Sequence, residues 1–325
     1  MKVFLTHTDE AFAGYYGDRP LAALSRIAEV RRNTTSKVLR GKELAQAAAG
    51  CQAIIADRST PGEADTFIAE AGLLAFLRCA VDISTIDVPA ASTQGVLVTR
   101  ATPGFTDSVA ELGLGMMIDL ARGITRMAAS FHQRKPPGTS RGMQLTESTL
   151  GLIGYGRIAQ RLEELVRPMR MKTLVHDPIL QTRSVPLEQL LSQADFTVCL
   201  AISNETTIGL MNSQRFQQMK AGSFFINLSR GQLVDEQALE DALDAEHLAG
   251  AALDVGMAAD QMPSLGLASR SDVIATPHIG GLTQAATEHQ AMDTVRQIEA
   301  LVAGRIPDGA VNADEAYRLR REFKL

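Results

Sequence analysis

Residues 149–159 read TLGLIGYGRIA, and the fold turns on how that stretch is read. An apolar run ends on Gly154, a second glycine follows at Gly156, and small Ala159 completes the spacing. RIAQRLEELVR then continues with helical periodicity. A strand, a tight glycine turn and a helix in that order form the G-x-G-x-x-G/A fingerprint of a dinucleotide site. The first glycine lets the chain turn sharply, and the second lets backbone approach a pyrophosphate. The small third residue lets helix and strand pack closely, and the helix N-terminus offers N–H donors. The next apolar run, KTLVHD, ends on Asp177, about 20 residues beyond the second glycine. An acid there accepts hydrogen bonds from the adenosine ribose and repels a 2′-phosphate, which predicts NAD in preference to NADP. Arg183, close by in sequence, argues the other way. A plain strand–helix turn with a solvated acid is the competing reading.

Working outward, apolar runs and amphipathic stretches alternate along almost the whole chain. KVFLTH (2–7), AIIAD (53–57) and LAFLRCAV (74–81) come first. After the glycine turn follow FTVCLA (196–201), SFFINLS (223–229), LAGAALDV (248–255) and DVIATPH (272–278). That rhythm predicts βαβ units and parallel sheets with helices on both faces. The expected fold class is α/β, with two Rossmann-like, doubly wound parallel-sheet domains and a crevice between them. The expected domains are residues 1–99, completed by 286–325, and a dinucleotide-binding domain over 100–285. ELGLGMMIDLARGITRMAASF (111–131) reads as one long helix, and LTQAATEHQAMDTVRQIEALVAG (282–304) as a C-terminal helix that packs back on the first domain.

Two further strand ends carry chemistry. NLSRGQLVDEQALEDAL (227–243) ends a strand and presents Arg230, whose planar fork suits a carboxylate. ATPHIGG (275–281) presents His278 before two glycines. A histidine beside a nicotinamide can give a proton to a carbonyl oxygen and take it back. Each residue alone is as readily structural. Together, at C-terminal strand ends, they point to one crevice.

The glycine turn, the acid after it, MKAGSFFINLSRGQLVDEQAL, ALDV and TPHIGG, in this order, resemble the D-isomer-specific 2-hydroxyacid dehydrogenase family over nearly the whole chain. The resemblance implies that Arg230 holds the substrate and that His278 is the acid/base. It places Asp254 at the nicotinamide carboxamide, and Thr106, Ser229 and Gly280 among the cofactor contacts. Arg157 and Ile158 then follow the turn at the pyrophosphate. Arg58 and Ser59, in DRSTP, and Val81 and Asp82, in CAVDIS, match substrate loops. NAD as cofactor, a small 2-hydroxy or 2-keto acid as substrate, and a homodimer through the 111–131 stretch are further implications.

Two positions depart from the family pattern. The glutamate that accompanies the histidine is replaced by Ala259, which leaves Asp260 as the candidate catalytic carboxylate. Asp82 stands in a loop that usually offers glycine N–H groups to the substrate; it must point away or pair with Arg58 or Arg78. These departures support a second expectation, an NAD(H)-binding sensor or interaction protein with weak or no turnover.

Composition narrows the classes. The 325 residues are 45% hydrophobic and 21% charged, with a net charge of −5. No basic run argues for nucleic acid, and no run reaches the length needed to span a bilayer. The opening MKVFLTHTDE meets charge before an apolar signal core can form. Cys51, Cys79 and Cys199 lie far apart in apolar surroundings, which predicts buried thiols and a reducing, cytoplasmic setting, with no metal site.

Overall fold

The structure, a computed structural model, describes residues 1–68, 72–139 and 141–323. The chain divides into two compact units, Met1–Gly104 with Thr283–Leu325, and Phe105–Leu282. Each is built on a wholly parallel sheet covered by helices, the α/β architecture expected.

The first unit holds β1 (Lys2–Leu5), β2 (Glu29–Arg32), β3 (Ala53–Ala56), β4 (Ala75–Arg78) and β5 (Leu97–Arg100), in the order β2-β1-β3-β4-β5. Strands β3 and β4 are buried along their whole length, as continuous apolar strands between helical layers must be. Two of the five strands escape a reading of apolar runs. The sequence of β2, EVRR, is that of a charged edge strand, and its residues alternate between exposed and half-buried. Four-residue β5, LVTR, ends on a charge. The C-terminal helix runs Gln284–Val302 and belongs to this unit. Its Ala291, Val295, Ile298 and Leu301 are buried with Val3, Leu5 and Leu77. Each of the larger aliphatic side chains contributes roughly 1.5–3 kcal/mol of burial.

The second unit holds β6 (Thr149–Ile153), β7 (Lys172–His176), β8 (Phe196–Cys199), β9 (Ser223–Asn227), β10 (Leu248–Leu253) and β11 (Val273–Ala275), in the order β11-β10-β9-β8-β6-β7. Its register is level at one edge. Ala275 pairs with Leu253, Leu253 with Asn227, Asn227 with Cys199, Cys199 with Ile153, and Ile153 with His176. Each is the last residue of its strand, so every loop after a strand leaves the sheet along one line.

The 111–131 stretch is not one helix. It breaks at Gly123 (φ +64°), which separates Thr106–Arg122 from Ile124–His132. The carboxylate of Asp119 stabilises the break by accepting from the Thr125 N–H at 2.8 Å and from its hydroxyl. All three cysteines are free and buried. Among the described residues no helix is long and apolar enough to cross a membrane, and no cluster of ligands suited to a metal occurs.

Candidate active site

The level edge of the second sheet collects the residues singled out from sequence. Gly154 and Gly156 follow β6, Asp177 follows β7, Ser229 and Arg230 follow β9, Asp254 follows β10, and His278 and Gly280 follow β11. A sheet of this kind binds ligands outside the carboxyl ends of its strands.

The glycine turn has the shape of a dinucleotide cradle. Gly154 has φ +85°, and a Cβ there would lie 2.7 Å from the Ala201 backbone, so the crossing over β8 admits only glycine. A Cβ at Gly156 would meet nothing within 4 Å; the space above it is open to a ligand. Gly156 caps the helix Arg157–Val166 without a side-chain hydrogen bond, so the first N–H groups are left for an anion. Ala159 is fully buried, Arg157 is exposed and Ile158 is half-buried. The Asp177 carboxylate accepts from the Tyr155 N–H at 2.8 Å and from the Ile179 N–H at 2.9 Å. Each oxygen keeps a further lone pair for a ribose hydroxyl. Ile179 and Ile202 stand largely exposed in the loops after β7 and β8, an apolar setting suited to a flat base. The residues therefore fit NAD.

The Arg230 turn is held from below by Asn227, a residue the sequence reading passed over. Asn227 is buried; its side-chain oxygen accepts from the Ser229 N–H at 3.1 Å, and its amide donates to the Arg230 carbonyl at 3.0 Å. The Ser229 hydroxyl donates to the Ala201 carbonyl. A Cβ on Gly231 would lie 2.2 Å from the Gly256 backbone, so the loops after β9 and β10 touch backbone to backbone. The Arg230 side chain stays exposed, with Nη1 donating only to its neighbour's carbonyl, Ser229 O, at 2.7 Å.

Asp254, which the resemblance places at the nicotinamide, is engaged by the loop after β11. It is buried, and the hydrogen bonds to its carboxylate come from the His278 loop. Oδ1 accepts from the Thr276 hydroxyl at 2.6 Å and from the Ile279 N–H at 2.8 Å, and Oδ2 accepts from the Gly280 N–H at 2.8 Å. These bonds tie the loop to the carboxylate, and Gly280 reaches it through its N–H.

The missing glutamate is answered by main chain. Nδ1 of His278 lies 3.1 Å from the carbonyl oxygen of Asp260. A carbonyl can only accept, so in this contact Nδ1 carries the proton. The contact that Asp260 makes with His278 is through its backbone oxygen, not its carboxylate. Three non-glycine residues meeting there have left-handed backbone, His278 (φ +55°), Asp260 (+54°) and Gln261 (+60°). Such conformations persist where surrounding structure holds them, and they concentrate at functional sites.

The remaining candidates divide between the units. Thr106 is the first residue of the helix Thr106–Arg122. In the first unit, Arg58 and Ser59 are exposed after β3, and the Ser59 hydroxyl donates to Asp57 at 2.8 Å. Val81 is half-buried. Asp82 is exposed, its Oδ1 accepts from the Ser84 N–H at 2.9 Å, and its charge acts on Arg78.

Comparison with known proteins agrees with this geometry. Residues 114–280, just over half the chain, match the family model for "D-isomer specific 2-hydroxyacid dehydrogenase, NAD binding domain". D-3-phosphoglycerate dehydrogenase of Synechocystis sp. is 35% identical over 262 residues, covering 76% of this chain and 47% of the relative. The Homo sapiens protein of the same name is 32% identical over 284 residues, covering 85% and 53%. The chain thus spans about half the length of the curated relatives it matches. The NAD-complexed D-isomer specific 2-hydroxyacid dehydrogenase of Lactobacillus delbrueckii ssp. bulgaricus shares the fold, with TM-score 0.80 at 20% identity, covering 96% of this chain and all of that one. The level strand ends, the open glycine cradle and the family match lead to one conclusion: this chain belongs to the D-isomer specific 2-hydroxyacid dehydrogenase family, and NAD is its cofactor.

Proposed function

We propose that the chain interconverts a small 2-keto acid and its D-2-hydroxy acid, with Arg230 binding the substrate and His278 moving the proton. The observation that carries this reading is the level row of strand ends in the second sheet, which sets the Arg230, Asp254 and His278 loops beside the glycine cradle. Bound NADH supplies the hydride that reduces the substrate carbonyl carbon. Arg230, exposed and held only by a neighbouring carbonyl, exchanges that contact for a bidentate grip on the substrate carboxylate. Protonated His278 donates from Nε2 to the carbonyl oxygen as it becomes a hydroxyl, while Nδ1–H stays on Asp260 O; the reverse reaction returns the proton to Nε2. Asp254 and Asn227 are positioning residues, one for each loop. Arg58, Ser59, Val81 and Asp82 are the candidates for selecting the substrate.

NADH oxidation against glyoxylate, pyruvate, hydroxypyruvate and 3-phosphohydroxypyruvate tests the reading. The last is included because the relatives above are named for 3-phosphoglycerate. His278→Ala is expected to lower turnover about 10²- to 10⁴-fold; turnover unchanged in that variant would remove the histidine from the mechanism. A second reading, an NAD(H) sensor, is favoured by the neutral partner of His278, since a carbonyl orients the ring without a negative charge beside it. NADH binding with no turnover on any keto acid would establish it. The uncovered Ile124 and Phe131 on the helix Ile124–His132 support a second copy of the chain as partner, which sedimentation tests. The free, buried thiols suit a cytoplasmic setting.

A further inference from the structure

The glycine turn carries a side-chain cluster that the dinucleotide cradle does not require. Tyr155 lies between the two glycines, and its hydroxyl donates to Glu163 on the helix Arg157–Val166. Arg183, from the loop after β7, closes the triangle. Its Nη1 donates to the Tyr155 hydroxyl at 2.6 Å and its Nη2 to the Glu163 carboxylate. Its guanidinium carbon lies 4.9 Å from the centroid of the Tyr155 ring, within range of a cation–π contact. The anion is the fixed member: the Glu163 side chain is 10% exposed, against 45% for Arg183. Burial alone would raise the Glu163 carboxyl; hydrogen bonds from Arg183 and Tyr155 outweigh it and hold the group below the usual carboxylate range.

The cluster adjoins the ribose acid. Tyr155 donates its N–H to Asp177 and engages Arg183 through hydroxyl and ring, so one residue joins the carboxylate and the cation. The loop bearing Arg183 is itself pinned. The Ser184 hydroxyl oxygen accepts from the Asp177 N–H at 3.0 Å, and the Val185 N–H donates to the Val175 carbonyl at 2.8 Å. Arg183 has φ +78°, a conformation that non-glycine residues rarely adopt. With the backbone fixed just beyond Arg183, the guanidinium can pair with Glu163 or turn to a ligand anion.

We propose that Glu163 is a coenzyme-discriminating residue: it pairs with Arg183 and, with Tyr155, withholds that cation from an adenosine 2′-phosphate, leaving Asp177 to set the preference for NAD. This rests on the dinucleotide reading of the glycine turn. It extends that reading, because Glu163 meets the glycine turn through the Tyr155 hydroxyl and acts on Arg183.

Binding of ADP-ribose and of 2′-phospho-ADP-ribose, measured by titration calorimetry, tests the proposal without turnover. Glu163→Gln keeps the shape and an acceptor for Tyr155 but removes the charge. It should shift the affinity ratio about tenfold toward the phosphorylated ligand, with ADP-ribose affinity held within about twofold. Adding Arg183→Ala to that variant should return the ratio to the wild-type value. Arg183→Ala alone should leave the ratio within about twofold, since the cation is already withheld. An unchanged ratio in folded Glu163→Gln overturns the proposal. So does a marked loss of the phosphorylated ligand in Arg183→Ala alone, because Arg183 would then already serve the phosphate. Should Glu163→Gln fail to fold, Tyr155→Phe decides: it removes one of the two partners and should shift the ratio the same way, by about threefold, and an unchanged ratio overturns the proposal. Failure of the wild type to bind ADP-ribose would instead sink the dinucleotide reading.

Discussion

The two parallel sheets differ in what they bury beyond their strand ends. At the carboxyl ends of the second unit's strands the buried polar side chains are one amide, Asn227, and one carboxylate, Asp254, and each is matched to the N–H, hydroxyl and carbonyl groups of the loop above it. The cations there, Arg157 and Arg230, are left exposed. In the first unit the strand ends bury charge. Arg78 and His7 are wholly buried and Asp57 nearly so. Arg78 donates to the Asp57 carbonyl and to the Thr85 hydroxyl at 2.9 Å, but among the described residues its Nε has no partner, and neither nitrogen of His7 has one. One row of strand ends uses buried acceptors to fix loops and leaves its cations exposed. The other holds buried ionisable groups incompletely satisfied, an arrangement that costs stability.

The comparison breaks most sharply at Asp254. Asp254→Ala removes one carboxylate and leaves the N–H groups of Ile279 and Gly280 and the hydroxyl of Thr276 without their acceptor. The expected loss is about 3 to 5 kcal/mol in denaturant unfolding of the second unit, with turnover lowered because His278 loses its loop. A variant that unfolds like the wild type would show that the loop is held by other contacts.

The first unit should fail in acid instead. Burial lowers the His7 pKa from 6.5 to about 4, with Asp57 opposing the shift and Arg32 and Arg78 adding to it. The folded state therefore binds fewer protons than the unfolded chain between those two values. Stability from this group is full above about pH 6.5 and falls as the pH drops through 4, by about 3 kcal/mol in all. His7→Phe keeps a ring against Tyr16, 5.1 Å away in the wild type, and cannot titrate. Its unfolding free energy should decline less than the wild type's over that window. Parallel curves for the two proteins would show that His7 does not drive the loss.

How much of this was legible beforehand follows the same division. The second sheet could be read because its strands are mostly apolar, and the loops after them carry residues whose chemistry is recognisable, namely Gly154, Asp177, Arg230, Asp254 and His278. The first sheet could be read only in part, since β2 is a charged edge strand and β5 has just two apolar residues, Leu97 and Val98. Along this row of loops the residue types were legible and the directions of their side chains were not. Nothing in the letters shows whether Asp254 faces a ligand or its own loop, because that depends on the rise of the chain from Thr276 to Gly280. Asn227 hides in an apolar strand as its last residue, and the break at Gly123 needed the side chain of Asp119 to be seen closing it. The helix-to-loop triangle of Tyr155, Glu163 and Arg183 joins residues with no periodic relation to one another.

The smallest expected effect is the most specific to the site. Asp260 supplies His278 with a carbonyl, and that oxygen belongs to the backbone, so the side chain should be replaceable. Asparagine is the informative substitute: it removes the charge, keeps the size, and tolerates the left-handed backbone that Asp260 adopts at φ +54°. Asp260→Asn should leave kcat for keto-acid reduction within about twofold and the pH–rate profile in place. Were the carboxylate to swing onto the imidazole during turnover, its removal would take away a charge that favours the protonated ring, and the alkaline limb would move to lower pH. A moved limb would show that the 258–262 loop closes on the histidine with its acid. A fixed one would mean that this chain orients its proton donor with neutral main chain where the family pattern has a carboxylate.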